Sequence, residues 1–121
     1  WVKGHNPMSV DFTVRGRKDL QHLTVNLANT NARMMLEWLG VSNAEDLYGS
    51  MRAAEFSALC RRRLWDEERN DTPAVPTRVE STPWCATVVT CGRDANYNKT
   101  RAASLLALAH AADPNELIDW G

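Results

Sequence analysis

Residues 23–40, LTVNLANTNARMMLEWLG, contain the change of hydrophobic period on which the fold prediction rests. Leu23, Val25 and Leu27 alternate with polar residues, which is typical of a half-buried β-strand. Residues 29–31 are rich in types that begin helices, and the apolar residues then recur at i, i+3, i+4 and i+7, as in a helix with one buried stripe: Ala32, Met35, Leu36 and Leu39. Gly40 ends this helix as a C-cap. The stretch therefore predicts a strand that leads directly into a helix.

The residues upstream predict a partner for this strand. Val10, Phe12 and Val14 alternate with polar residues, and residues 16–19 form a polar turn. The two strands therefore predict an antiparallel hairpin. Residues 1–7 have neither period, so we interpret them as a cloning-derived segment, with Met8 as the native start of a single domain over residues 8–121.

The middle of the chain predicts two helical segments and a loop. Residues 42–45 match a capping box, which predicts a short helical turn that ends at Gly49. Ser50 is a suitable cap for a helix over about residues 51–68, whose inner face carries Phe56, Leu59, Cys60 and Leu64. Prolines and polar residues predict an exposed loop at residues 70–82.

The last third of the chain predicts a strand, a helix and a final strand. Residues 86–91, ATVVTC, are mostly β-branched and apolar, which favours a central strand. A helix over about residues 97–112 follows, and Leu117, Ile118 and Trp120 indicate a short closing strand. The order is β-β-α-α-β-α-β. The fold class is α+β, with about four strands in a mixed sheet and helices packed on it.

Composition excludes several classes of protein. The 121 residues are 44% apolar and 24% charged, which is ordinary for a globular domain. A formal charge of −1 disfavours a dedicated nucleic-acid binder, and no apolar run approaches the roughly 20 residues that span a bilayer. Three cysteines without CxxC spacing favour reduced thiols and a cytoplasmic location.

Several of these segments together resemble a known family. They are residues 27–33 with the following Leu39 and Gly40, the turn at residues 91–94 with Tyr97, and the closing residues 118–121, IDWG. The chain resembles a family of small proteins from bacteria, particularly actinobacteria, and their phages. The resemblance implies a bacterial or phage accessory protein, and it implies no activity, cofactor or catalytic residue.

Two strand-to-helix turns are candidates for a ligand or nucleotide site. They carry Asn29, Asn31 and Arg33 in one turn, and Arg93, Asp94 and Tyr97 in the other. Free N–H groups at a helix start attract anions, and turns that follow parallel strands meet at one sheet edge. The alternative is ordinary helix capping by Asn and Asp. Neither turn has a GxGxxG or GKS/T pattern, so the sequence supports a nucleotide only weakly.

Other reactive residues lack the spacing of a site. His22, His110 and the cysteines show no zinc-ligand pattern, and we expect neither a metal nor a cofactor. Cys91 is the best candidate nucleophile, although no base is evident beside it. The run Arg61-Arg62-Arg63 is a weak candidate for contact with nucleic acid. The sequence favours a solvated helix end instead, in which Arg62 and Arg63 pair with carboxylates four residues later.

Large apolar residues off the buried stripes suggest a partner surface. Met34, Trp38 and Trp65 point away from the predicted inner faces, so they lie either on a second buried face or on a surface that binds a protein. With no convergent catalytic set, the sequence favours a non-enzymatic interaction protein with an unidentified partner or self-association. It leaves the question of an enzyme open.

Overall fold

The computed structural model describes residues 9–42, 44–81, 87–90 and 92–121. Its elements are β1 (Ser9–Val14), β2 (Val25–Ala28), α1 (Asn29–Leu39), β3 (Gly49–Arg52), α2 (Ala53–Asp66), β4 (Arg78–Ser81), β5 (Thr87–Thr90), α3 (Tyr97–Ala111) and β6 (Leu117–Trp120). Short 3-10 helices lie at Lys18–Leu23 and Ala44–Asp46. Residues 1–8 are outside the described residues, so the cloning origin of residues 1–7 and the native start at Met8 stay predictions.

The main sheet has four strands in the order β2-β1-β6-β3. Every neighbouring pair is antiparallel. The predicted α+β class and the hairpin of β1 and β2 are confirmed. The prediction of a mixed sheet is wrong, because β6 returns from α3 and inserts between β1 and β3 in the antiparallel sense.

The sheet has one buried face and one polar face. Val10, Phe12 and Val14 are buried under the helices, as their alternation predicts. Phe12 and Trp120 of the sheet meet Phe56 of α2, with ring centroids 5.9 to 6.3 Å apart. The opposite face carries hydrogen-bonded polar side chains: Asn26 with Asp11 and Ser9, and Arg15 with Asp119. The helices therefore form a single layer on one side of the sheet.

The segment around Gly49 differs from its prediction. The 3-10 helix Ala44–Asp46 confirms a helical turn, but residues 49–52 form an edge strand and not the end of that turn. α2 consequently begins at Ala53 and not at Ser50. β3 is stabilised by its pairing with β6 and by the packing of Gly49 on the Trp120 ring. Both contacts are made with residues about seventy positions away in the chain, so the local sequence does not predict this strand.

The predicted central strand at residues 86–91 is not in the main sheet. Among the described residues, β5 pairs with β4 alone, in a separate two-stranded ribbon. The central position belongs to β6 instead. β4 also occupies the end of the loop predicted at residues 70–82, whereas residues 71–77 do lack regular secondary structure except for one bridge residue, Val75. Strand propensity alone does not tell which sheet a strand joins.

The helices α1 and α3 match their predicted bounds closely. α1 ends at Gly40, whose φ of 86° is the left-handed conformation expected of a C-cap glycine. The buried stripe of α1 contains the four residues predicted from spacing. No helix in the described part of the chain has the length and apolar character needed to cross a membrane.

Candidate ligand cavity and interaction surfaces

The two predicted turns lie in contact. The side chain of Asn31, which is buried, donates from Nδ2 to the carbonyl oxygen of Gly92 over 3.5 Å. The guanidinium of Arg93 contacts the sulfur of Met34 on α1. The two turns come together although they do not follow parallel neighbours in one sheet. The contact arises because the start of α1 packs against the segment between β5 and α3.

A second loop completes this region. Val75 and Arg93 exchange backbone hydrogen bonds of 2.7 Å in both directions. Thr72 and Asn96 are joined in the same reciprocal way, because the Thr72 N–H donates to Asn96 Oδ1 and the Asn96 N–H donates to the Thr72 carbonyl, both over 2.9 Å. Segment 71–77 is therefore fastened to the turn that precedes α3.

Ordinary capping does not explain the asparagines at these turns. The residues at the N-cap positions are Ala28 for α1 and Asn96 for α3, and neither helix has a side-chain cap hydrogen bond. Asn96 has a left-handed backbone with φ of 55°, and its side-chain oxygen accepts from Thr72. Asn96 therefore does not cap α3 with its side chain, and Ala28 has no polar side chain with which to cap α1.

The region encloses a cavity of about 240 Å³. Its walls come from α1, the loop at 72–75 and the start of α3: Met34, Thr72, Pro73, Val75, Arg93, Asp94, Tyr97 and Asn98. The Asn98 side-chain oxygen is buried and has no hydrogen-bond partner among the described residues. Because this oxygen has almost no accessible surface, it lies behind the wall and is not offered to a ligand in the cavity.

The structure assembles only part of the predicted ligand set. Arg93, Asp94 and Tyr97 line the cavity, and Asn31 supports the adjacent backbone. Arg33 does not line it, since it pairs with Glu37 over 3.1 Å on the exposed side of α1. Asn29 is half-buried at the start of α1 and does not line the cavity. The Tyr97 ring lies under the guanidinium of Arg101, at 4.9 Å.

No sequence pattern predicted three of the residues that line the cavity. Thr72, Val75 and Asn98 belong to no motif, and their placement depends on backbone hydrogen bonds between distant segments. Pro73 marked the loop without indicating where the loop would pack.

The predicted partner surface is divided in two. Met34 and Trp38 are half-buried and pack against the core. The Arg63 guanidinium lies 4.6 Å from the centre of the Trp38 ring and also pairs with Glu67 over 3.0 Å. Trp65 is 77% exposed. Trp65 follows Arg63 by two residues on α2, and residues two apart on a helix point about 200° apart. Since Arg63 points toward Trp38, Trp65 points away from it. Met34 and Trp38 thus lie on a second buried face of α1, as one of the two alternatives predicted. Of the three predicted residues, Trp65 is the one exposed to a partner.

Another exposed aromatic residue borders a wide groove. Tyr48 is 69% exposed at the start of β3. Beside it, a groove of about 700 Å³ runs between β3 and α2 on one side and the residues after α1 on the other. Met51, Leu59 and Trp120 contribute its apolar wall.

The other candidate residues show no assembled chemistry. Cys60 is fully buried, and burial raises the pKa of its thiol to about 12. Cys91 lies outside the described residues, and His22 and His110 are exposed. No cluster of three potential metal ligands occurs among the residues that the structure describes. The predicted Arg63–Glu67 pair is confirmed, whereas no ion pair joins Arg62 to Asp66.

No protein-family model, curated protein or solved structure matches this chain. The resemblance to the bacterial and phage family therefore stays a prediction from the residues, and the geometry carries the functional argument.

Proposed function

We propose that this chain is a small, non-enzymatic accessory protein of the cytoplasm that binds another protein through the outer face of α2. The observation that carries the proposal is Trp65, whose side chain is 77% exposed near the end of that helix. Trp is the residue type most enriched among the side chains that dominate binding energy at protein interfaces. A partner that covers this ring would remove a large apolar area from water.

The neighbours of Trp65 support a binding face. Ala54, Ala58 and Arg61 precede it at helical spacing, and all three are exposed. The small alanines leave a shallow surface beside the indole ring. Arg61 and Arg62 make no ion pair with any described residue, so their guanidinium groups remain available to a partner. Trp and Arg are both enriched at interface centres. Asp66, Glu68 and Arg69 also border the ring, so the partner needs polar groups around its apolar contact.

The test uses Trp65→Ala with Tyr48→Ala as a matched control. Each variant removes one strongly exposed aromatic ring, but from a different surface. A partner captured with the wild-type chain is expected to bind Trp65→Ala about thirtyfold more weakly, since truncating a dominant interface residue costs about 2 kcal/mol. Titration calorimetry with that purified partner measures the change. Equal affinity of the wild type and Trp65→Ala for the partner would refute the proposed surface.

A second candidate function is binding of a small polar ligand in the cavity between α1 and the start of α3. It is favoured by Arg93 and the buried Tyr97, which share one wall of this cavity. A ligand with an acidic group for Arg93, such as an amino acid or hydroxy acid, matches this wall. The volume of about 240 Å³ falls below the roughly 300–1,000 Å³ of pockets for drug-sized ligands, which disfavours a nucleotide.

This second candidate is tested by thermal shift with a panel of amino acids and hydroxy acids. A ligand of this cavity raises the melting temperature of the wild type and of Arg33→Gln, because Arg33 lies outside the cavity. The shift is expected to disappear in Arg93→Gln. A shift that survives in Arg93→Gln would place the ligand elsewhere.

A further inference from the structure

The free edge of β3 carries a further inference. We propose that two copies of this chain pair β3 with β3 in the antiparallel sense, about a twofold axis that places residue 50 opposite itself. The two four-stranded sheets then become one continuous sheet. This proposal is independent of the Trp65 surface and of the cavity.

The hydrogen bonds of β6 show which groups of β3 are free. The Ala53 N–H donates to the Glu116 carbonyl over 2.7 Å, in the same register that pairs Met51 with Ile118 and Gly49 with Trp120. In an antiparallel pair, hydrogen-bonded positions alternate with positions that point away. Residues 49, 51 and 53 therefore bond to β6, while Ser50 and Arg52 direct their backbone groups outward.

The opposite side of β6 agrees with this assignment. The Arg15 N–H donates to the Leu117 carbonyl over 2.9 Å, and Asp11 and Gly121 exchange two backbone bonds. Odd-numbered residues of β6 thus bond to β1, and even-numbered ones bond to β3. Among the described residues no further strand pairs with β3. Its edge offers the Ser50 N–H and carbonyl, the Arg52 N–H and, by continuation of the register, the Tyr48 carbonyl.

The proposed register matches these free groups to one another. Ser50 bonds Ser50 of the second copy in both directions, and the Arg52 N–H of each copy donates to the Tyr48 carbonyl of the other. Cross-strand neighbours lie about 5 Å apart, so Arg52 of each copy lies beside the exposed Tyr48 ring of the other. The Arg52 guanidinium pairs with Glu55 of its own chain over 2.7 Å, and the Tyr48 ring would pack on this exposed pair. A cation over an aromatic face is favourable.

The groove beside β3 provides room on the buried side of the joined sheet. Side chains of the second strand that point toward the helices are those of Gly49 and Met51. In the proposed register Met51 of one copy lies opposite Gly49 of the other. Gly49 has no side chain to obstruct it, and the groove of about 700 Å³ has an apolar wall that includes Leu59 and Met51.

The other sheet edge is less suited to self-pairing. The start of β2 follows the 3-10 helix Lys18–Leu23, and the Thr24 N–H is already donated to the Gln21 carbonyl. None of the four residues of β2 is a large exposed apolar side chain. The edge of β3 is flanked by an exposed aromatic ring, and the edge of β2 is not; an exposed apolar group beside a free edge promotes edge-to-edge pairing.

The test is a charge exchange at residue 50, measured by sedimentation velocity over a range of concentrations. Because residue 50 meets its own copy, Ser50→Lys and Ser50→Asp each place two like charges opposite one another. Each variant alone is expected to dimerise about tenfold more weakly than the wild type, and an equimolar mixture is expected to restore dimers. Ser50→Thr keeps the backbone donor and serves as the control. It is expected to dimerise like the wild type.

A second variant tests the backbone bonds. Ser50→Pro removes a donor that points away from β6, so the chain retains its ladder while the dimer is lost. Circular dichroism checks that each variant is folded. If Ser50→Pro does not fold, the equimolar mixture of Ser50→Lys and Ser50→Asp is the deciding test. A wild type that stays monomeric to millimolar concentration overturns the proposal. So does a dimer unaffected by the charge variants, or a Ser50→Asp variant that dimerises alone. Species larger than dimers would indicate head-to-tail pairing of β3 with β2 and would overturn the twofold register. Trp65→Ala should leave the dimer unchanged, which separates this result from partner binding.

Discussion

At Gly49 the missing side chain is what allows the edge strand to approach the aromatic core. A Cβ atom at this position would lie 2.8 Å from Cζ2 of Trp120, closer than the two carbons can pack. Trp120 is itself buried and stacked against Phe12. We expect Gly49→Ala to lower the free energy of unfolding by about 1–3 kcal/mol, because an overpacked core must shift. Urea denaturation measures the loss. Gly121→Ala is the control, since its Cβ meets Tyr48 at an ordinary 3.6 Å.

Burial of the Cys60 thiol makes the stability of this chain depend on alkaline pH. The pKa of the thiol is raised to about 12 by burial, whereas an unfolded thiol has a pKa of about 8.5. The folded state therefore keeps a proton that the unfolded state releases. The stabilising contribution is complete below about pH 8.5 and declines as the pH rises toward 12.

Comparison with Cys60→Ala isolates this effect, because all other groups titrate equally in both proteins. The free energy of unfolding of the wild type relative to Cys60→Ala is expected to be constant from pH 6 to 8 and to fall between pH 9 and 10.5. Urea denaturation under reducing conditions measures it. A difference that rises with pH would contradict the buried, protonated thiol.

At the scale of elements, Arg63 joins α2 to α1. Its guanidinium covers Trp38 of α1 and pairs with Glu67, and the side chains of both members of this pair are less than a third exposed. A cation–π contact of about 0.5–1 kcal/mol and an i,i+4 pair of about 0.3–0.5 kcal/mol predict a loss of about 1 kcal/mol in Arg63→Ala. Arg62→Ala, which removes an exposed arginine, is expected to change stability by less than about 0.5 kcal/mol.

A double-mutant cycle identifies the part of this loss that belongs to Trp38. If the ring is the partner, Arg63→Ala costs less in a Trp38→Leu background than in the wild type. Equal costs in the two backgrounds would assign the whole effect to Glu67. Chemical denaturation of the four proteins gives the coupling free energy.

The spacing of apolar residues predicted the elements whose hydrophobic pattern lies within the element itself. The hairpin of β1 and β2, the stripe of α1 with its C-cap Gly40, and α3 were all predicted from spacing. β3 was missed because its residues, GSMR, carry no strand pattern and pair only with distant residues of β6. β5 was recognised as a strand and assigned to the wrong sheet, since propensity does not specify a partner.

At the scale of the whole molecule, three rings join the sheet to the helix layer. Phe56 of α2 is fully buried between Phe12 of β1 and Trp120 of β6. Phe56→Ala is expected to lower the free energy of unfolding by about 3–5 kcal/mol, a large part of the roughly 5–15 kcal/mol of a domain of this size. Phe56→Leu keeps most of the buried area and is expected to lose about half as much. Thermal melts followed by circular dichroism compare them. A loss below 1 kcal/mol in Phe56→Ala would mean that the rings do not unite the layers.

The candidate sites show the same division between local and long-range information. Arg93, Asp94 and Tyr97 were predicted as ligand residues, and they do line a cavity. Arg33 was predicted with them, but it lies on the exposed side of α1, where it pairs with Glu37 four residues later on the same helix. Trp38 and Trp65 had equivalent positions in the pattern, yet Arg63 covers one and nothing described covers the other.

The sequence by itself determined the α+β class, the first hairpin, the bounds of α1 and α3 and the buried stripe of α1. These features depend on contacts within one helix or between adjacent strands, so a period of two or 3.6 reveals them. Only the tertiary structure decided the strand order, the antiparallel insertion of β6, the edge at β3, the separate ribbon of β4 and β5 and the cavity beside α3. Each of those features is produced by residues far apart in the chain, whose contacts depend on the packing of the whole core.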